Sequence, residues 1–186
     1  MANHDGKNSP LLATQPLGTK SKARSYQVEM LQQSLERNVI VAMPTGSGKT
    51  LIAVMRILAA LECREDGLVW FCCPGVELAL QQFRQISAQI PAYQSRMLSG
   101  SDNCEYWSCQ TWLEALQGIS IVVSTHAVRI TQPPLMSIVS TSQILLDALK
   151  HAFVYMRDIS LLVLDEGLNL FRDVATATEG EQRTMR

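Results

Sequence analysis

The chain has 186 residues, with 16 Lys and Arg against 17 Asp and Glu, for a formal net charge of -1. That length suits one domain with a buried core, and the balanced charge excludes a global basic field for nucleic acid, so any such contact has to come from a local patch. The five cysteines form no CxxC pair and no zinc-spaced cluster with histidine, the N-terminus has no signal-peptide core, and no run reaches the ~20 apolar residues of a membrane span. Reduced thiols and a cytoplasmic or nuclear location are therefore expected.

Residues 1–23 are rich in Asn, Ser, Gly, Lys and Pro and bury too little apolar surface to offset their ordering entropy, so a disordered tail is expected. From Tyr26 the pattern changes. "YQVEMLQQSLER" predicts a helix with Val28, Leu31 and Leu35 on its apolar face. "NVIVAM" predicts a short strand buried on both sides. After "PTGSGKT" comes a helix, "LIAVMRILAALEC", that is apolar almost all round, and then a strand, "LVWFCC". "VELALQQFRQISAQI" predicts a helix with Val76, Leu80, Phe83 and Ile90 inward, and "EYWSCQTWLEALQ" another with Trp112, Leu113 and Leu116 inward. "ISIVVST" reads as a strand, "ILLDALKHAFVYM" as a helix burying Leu145, Leu149, Ala152 and Phe153, and "ISLLVL" as the last strand. Alternation of this kind predicts an α/β fold, a parallel sheet with helices on both faces and right-handed crossovers. Such sheets take ligands at the carboxyl ends of their strands, where both "PTGSGKT" and the acids after "LLVL" fall.

One segment breaks the pattern. Arg129 to Gln143, "RITQPPLMSIVSTSQ", has adjacent prolines and no amphipathic period, and its "SIVST" nearly repeats the "SIVVST" before it. It reads either as a plain surface loop or as an insertion between a strand and the following helix. The expected division is a tail over 1–23, a domain over 24–169 with this insertion, and an irregular tail over 170–186.

"MPTGSGKT", Met43 to Thr50, stands between a predicted strand and a predicted helix, the setting of a phosphate-binding loop. Glycines let backbone N–H groups turn inward toward phosphate oxygens, and the positive end of the helix dipole adds to the attraction. Thr45, Gly46, Ser47, Gly48, Lys49 and Thr50 are the candidate nucleotide contacts, with Lys49 at the β and γ phosphates and Thr50 on Mg²⁺. A loop of the same composition can be a plain turn, but the acids at Asp165 and Glu166 argue against that. Asp165 would hold Mg²⁺, and Glu166 would orient and deprotonate the attacking water. In a chain without the loop, the same two acids would read as a helix cap and a solvated side chain. His126 reads as a loop residue and His151 as a surface helix residue, since no second ligand sits at metal spacing.

Together these motifs resemble the superfamily 2 helicases of the DExD/H-box type, specifically their first RecA-like, P-loop NTPase lobe. "RSYQVEM" is similar to that family's adenine-recognition motif, which implies that Gln27 reads the adenine edge and Arg24 stacks on the base. "PGVELALQQ" resembles its motif Ia and "VSTHAV" a motif that touches nucleic-acid backbone, which implies Gln81 and Thr125 as RNA contacts. "RSYQ", "VELALQQ" and "LLDAL.HAF" taken together look most like the helicase region of fungal Dicer-like proteins, over about Ala23 to Asn169. The resemblance implies ATP and Mg²⁺ as cofactors, double-stranded RNA as the partner of the whole protein, and a part in RNA silencing.

Four departures matter. Met43 and Gly75 replace a usual glycine and threonine, and "DEGLN" puts Leu168 where the family carries a histidine that links ATP state to the nucleic-acid grip. The residues after Asn169 carry no Ser-Ala-Thr motif and no second lobe, so the arginines that stabilise the transferring phosphate are not expected here. No RNase III or double-stranded RNA-binding segment follows. The expectation is a Mg-ATP-binding helicase lobe with weak ATPase and little unwinding. The alternative is a non-catalytic nucleotide- or RNA-binding fragment of a truncated gene product. A small-metabolite kinase is a third and poorer fit, because it needs neither "RSYQ" nor this acidic strand end.

Overall fold

The computed structural model describes residues 23–64, 67–125, 127–129, 139–141 and 143–165. The expected tails over 1–23 and 170–186 lie almost entirely outside these residues, as do Glu166, Leu168 and His126. The fold is a four-stranded parallel sheet in the order β2-β3-β1-β6, where β1 is Leu68–Cys73, β2 Ser95–Leu98, β3 Ile121–Thr125 and β6 Ile159–Leu164. Helices α1 (Ser25–Glu36), α2 (Lys49–Cys63), α3 (Val76–Gln89), α4 (Cys109–Leu116) and α5 (Gln143–Lys150) connect and cover it.

Alternation along the strands builds two cores. Val69, Phe71, Cys73, Ile121 and Val123 face one side, where Val54, Ile57 and Leu61 of α2 and Ala79 and Ile86 of α3 pack on them. Trp70, Cys72 and Val122 face the other, against Trp112 of α4 and Ile144, Leu145 and Ala148 of α5. On that side Trp70 Nε1 donates to Ser124 Oγ at 2.8 Å, which satisfies both buried polar groups. Trp112 meets Trp107 edge-on at 5.0 Å and stacks with Phe153 at 5.8 Å. Where β6 starts beside β1, Gly67 is forced by space, since a Cβ there would stand 2.6 Å from Ser160 Cβ.

The structure corrects several expected elements. "NVIVAM" forms no strand: residues 38–44 carry no regular structure, and Ile40 is 70% exposed. A strand exists only where its N–H and C=O groups find a ladder, and none of the described strands pairs with this run. On α3 the inward face is Ala79, Gln82 and Ile86, with Phe83 and Ile90 beside them, while Val76 and Leu80 are 55% and 36% exposed. Val28 and Leu35 of α1 are likewise exposed, and the buried residue of that helix is Gln27. In α4, Trp112 and Leu116 face inward as the spacing suggests, whereas Leu113 is 59% exposed. Helix α5 ends at Lys150, and Ala152 is exposed in a left-handed turn (φ 56°) that redirects the chain so that Phe153 still reaches the core. Strand β2 carries no clear alternation and was not apparent from the sequence.

Two ends of the irregular segment are described. β4 (Ala127–Arg129) and β5 (Val139–Thr141) pair antiparallel with each other, Ala127 opposite Thr141, and form a ribbon separate from the main sheet. Paired residues in such a ladder have Cα atoms about 4.5–5.5 Å apart, so Ala127 and Thr141 can be rejoined by two glycines. Replacing 128–140 with Gly-Gly is expected to leave the melting temperature unchanged or raised. A drop of many degrees in a thermal melt would show that the segment packs on the core.

Candidate nucleotide site

The loop before α2 is curled by two left-handed glycines, Gly46 (φ 80°) and Gly48 (φ 86°). Ser47 N and Oγ donate to Pro44 O at 3.3 and 2.7 Å, which closes the turn. Helix α2 starts with Gly48 as its N-cap and no side-chain cap, so its first N–H groups stay available to an anion. Lys49 Nζ donates to Met43 O at 2.8 Å and Pro44 O at 3.3 Å, which folds the side chain back over the loop. Those carbonyls are weaker partners than a phosphate, whose oxygens carry full charge.

Residues ahead of the loop brace it from behind. Tyr26 Oη donates to Ser47 O at 2.7 Å, and Gln27 Nε2 donates to the same carbonyl at 3.2 Å. Gln27 Oε1 in turn accepts from Arg24 N at 2.8 Å. Arg24 Nη1 donates to Tyr26 Oη at 3.3 Å and is exposed at the edge of this cluster. The upstream "RSYQ" and the loop are therefore one unit. Gln27 is 4% exposed, and each end of its amide already serves a protein partner while keeping capacity for one more hydrogen bond. The role of Tyr26 was missed from the sequence, because a tyrosine beside a glutamine carries no spacing signal of its own.

The acidic strand end arrives from the other direction. Asp165 follows β6, and its N–H donates to Cys72 O at 2.9 Å, extending the β1–β6 ladder. Gln82 of α3, 5% exposed, connects it to the loop helix: Nε2 donates to Asp165 Oδ2 at 3.1 Å and to Thr50 Oγ1 at 3.4 Å. Thr50 and Asp165 thus lie about one amide group. Two oxygen donors are the sparse set with which Mg²⁺ is held when phosphate oxygens and waters complete its octahedron, so the residues present fit that ion. Beside them, burial first and the charge of Asp165 second push the Cys73 thiol far above its ordinary range. Cys104, in the opposite core, is pushed up to about 11, again mainly by burial.

Of the two expected RNA contacts, Gln81 is exposed on α3 and lines a shallow groove with Glu77, Leu80, Arg84 and Gln85, about 600 Å³ in volume. Thr125, at the end of β3, is 2% exposed.

A parallel sheet covered on both faces, with a glycine-curled loop at a helix N-terminus facing an acidic strand end, defines a RecA-like α/β lobe. The chain belongs to the DEAD/DEAH box helicase family, whose model matches residues 24–175. Helicase domains of this family are ATP-dependent. The chain is 46% identical over 147 residues to Dicer-like protein 2 of Phaeosphaeria nodorum, which is 78% of this chain and 9% of that protein. It is 46% identical over 154 residues to Dicer-like protein 2 of Coccidioides immitis (82% and 10%). For Dicer-like protein 2 of Cryphonectria parasitica the figures are 43% over 148 residues (79% and 9%). The chain therefore spans about a tenth of the length of the curated relatives it matches. Among the described residues, no helix is long and apolar enough to cross a membrane.

Gly48 tests the brace directly. Its φ of 86° disfavours a side chain, and a Cβ would stand 2.3 Å from Gln27 Nε2. Gly48→Ala is expected to lower stability by ~1–2 kcal/mol, or about 2–8 °C in melting temperature. In a Gln27→Ala background, where that clash is gone, Gly48→Ala is expected to cost less than it does in wild type. An equal cost of Gly48→Ala in the wild-type and Gln27→Ala backgrounds would show that the contact with Gln27 plays no part.

Proposed function

We propose that this chain is the ATP-binding lobe of a Dicer-like RNA helicase, which takes up Mg-ATP at the loop of Thr45 to Thr50 and nucleic acid along α3. The observation that carries it is the junction of Thr50 and Asp165 about Gln82, because it joins the phosphate-binding helix to the acidic strand end. In this role Lys49 leaves the Met43 and Pro44 carbonyls for the β and γ phosphates, while the loop N–H groups and the α2 dipole hold the phosphate chain. Thr50 and Asp165 would hold Mg²⁺, which supplies charge neutralisation at the transferring phosphate. Gln27 would read the adenine edge with its remaining donor and acceptor, Arg24 would stack on the base, and Glu166 would act as base toward the attacking water. Gln81, exposed in the α3 groove, would meet RNA backbone, a local contact that needs no net basic charge. RNA as the substrate, double-stranded, and a part in RNA silencing follow from the Dicer-like resemblance.

Titration of a fluorescent ATP analogue tests the site. Lys49→Ala is expected to bind about tenfold or more weakly, since a hydrogen bond to a charged group contributes ~1.5–3 kcal/mol. Equal affinity in the two proteins would remove the assignment. In the same titration Gln27→Ala is expected to narrow the preference for ATP over GTP, and an unchanged preference would end its role as the adenine reader.

We further propose that this 186-residue chain, assayed by itself, turns over slowly and separates no strands. Strand separation needs two lobes that close on ATP, and an arginine opposite the P-loop contributes ~10³–10⁵ in rate where one is supplied. In a coupled ATPase assay wild type is expected to show a slow rate near background that long double-stranded RNA does not raise and that Glu166→Gln lowers further. RNA-stimulated turnover that disappears in Glu166→Gln would refute this and would support a catalytically complete site. The alternative, a nucleotide- or RNA-binding module without turnover, is favoured over the slow enzyme only if binding persists while wild type and Glu166→Gln give identical rates.

A further inference from the structure

Gln82 is placed unlike an ordinary core glutamine. It is 5% exposed in the middle of α3, with its amide nitrogen shared between Thr50 and Asp165. A carboxylate oxygen only accepts, so the NH₂ end of the amide has to face Asp165, and this fixes which way the group lies. The other end, Oε1, is buried and has no hydrogen-bond partner. Leaving such an oxygen unpaired forfeits its hydration with nothing in return. A tie whose only duty was to join α2, α3 and β6 would be cheaper with both ends satisfied, or as an apolar residue. Among the described residues, the one other buried side-chain atom in this state is Gln89 Oε1. Gln89 ends α3, which leads away from the carboxyl edge of the sheet, so its oxygen lies remote from the site.

We propose that Gln82 positions the hydrated cation of this site. Its Nε2 holds Thr50 Oγ1 and Asp165 Oδ2 toward a common point, and its Oε1 accepts a hydrogen bond from a water carried by the metal ion. The inference rests on the reading of the site as one for Mg-nucleotide. Mg²⁺ parts with its waters reluctantly and is therefore recognised largely through them. A water bound to a dication is a strong donor, which is what a buried, unpaired amide oxygen lacks. Gln82 touches neither phosphate nor base in this arrangement, so it acts through the cation and its oxygen partners. Losses of this kind of outer contact lower metal affinity by about 10–100-fold.

The test uses the full chain and separates metal from nucleotide. A fluorescent ATP analogue is titrated in excess Mg²⁺ and again in EDTA, with wild type, Gln82→Met and Gln82→Glu. Both substitutions keep the side-chain length, and Glu keeps an acceptor where Oε1 stands. The gain in affinity that Mg²⁺ confers on wild type is expected to shrink about 10–100-fold in Gln82→Met, with the EDTA affinity little changed, and to shrink less in Gln82→Glu, which keeps the acceptor but loses the donor to Thr50 and Asp165. Direct Mn²⁺ binding, read by electron paramagnetic resonance with the nucleotide present, is expected to follow the same order. An undiminished Mg²⁺ gain in Gln82→Met overturns the proposal, as does an equal loss with and without Mg²⁺, which marks a purely structural tie. If Gln82→Met does not fold, Gln82→Leu is titrated in its place, with the same two outcomes deciding. Failure of wild type itself to bind the nucleotide, or to bind it better with Mg²⁺, refutes the reading of the site, and this inference with it.

Discussion

Strand β1 is hydrogen-bonded on both edges and covered on both faces. It pairs with β3 on one side and β6 on the other, and its side chains alternate into two separate cores. These conditions explain why the strand is "LVWFCC" and carries no charge. They also explain its use. A strand held on four sides delivers its carboxyl end at a fixed place, and Cys72 O there receives Asp165 N at 2.9 Å. The acid at the site is thus aimed by a ladder that begins in the centre of the molecule, with no loop of independent freedom between them.

The run "NVIVAM" shows what happens when only part of these conditions holds. Its composition is that of a buried strand, and α1 and α2 pack against each other on either side of it in sequence. It lacks a hydrogen-bonded neighbour among the described strands, and Ile40 stands in solvent. The phosphate loop that follows is consequently not anchored by a ladder. It is anchored from α1, through Tyr26 and Gln27 on the Ser47 carbonyl. A carbonyl with two lone pairs is used twice, and the first N–H groups of α2 stay available to a ligand. This division of labour also accounts for a buried glutamine on a helix whose Val28 and Leu35 are exposed: the inward face of α1 is selected by the loop it supports rather than by an apolar core.

The alternation of strands and helices, the phosphate loop and the acidic strand end were all legible, because each is written as a period or a motif over neighbouring residues. Helix faces were less so. On α3 the apolar set Val76, Leu80, Phe83 and Ile90 has good helical spacing, and Phe83 and Ile90 do pack on the core, yet Val76 and Leu80 are exposed and Ala79, Gln82 and Ile86 are buried in their place. Small residues let the helix approach the sheet, and a polar residue is buried where it has a partner, and neither fact shows in a hydrophobic pattern. The end of α5 was set by Ala152 taking a positive φ, which no sequence rule would assign to alanine. Strand β2 was missed because an edge strand of four residues needs no alternation when only Leu98 is fully buried. Glu166, the most chemically specific residue in the sequence reading, lies outside the described residues, and its place rests on the motif alone.

Thr50, Gln82 and Asp165 come from three different elements, with Gln82 32 residues from Thr50 and 83 from Asp165. A parallel sheet is the economical way to gather them, since each strand ends on the same edge and each helix returns from it. Placing the link on α3 has a consequence for how the two faces of that helix relate. Gln81 and Gln82 are adjacent in sequence and about 100° apart around the axis. One lines the exposed groove with Arg84, and the other is buried between the phosphate helix and the acid. Any shift of α3 that accompanies filling of the groove must move Gln82 relative to Thr50 and Asp165, because a helix of 14 residues packed on a sheet moves as a rigid body more readily than it bends. On the reading proposed above, coupling between the groove and a cation at this site would run through α3 and the hydrogen bonds of the Gln82 amide.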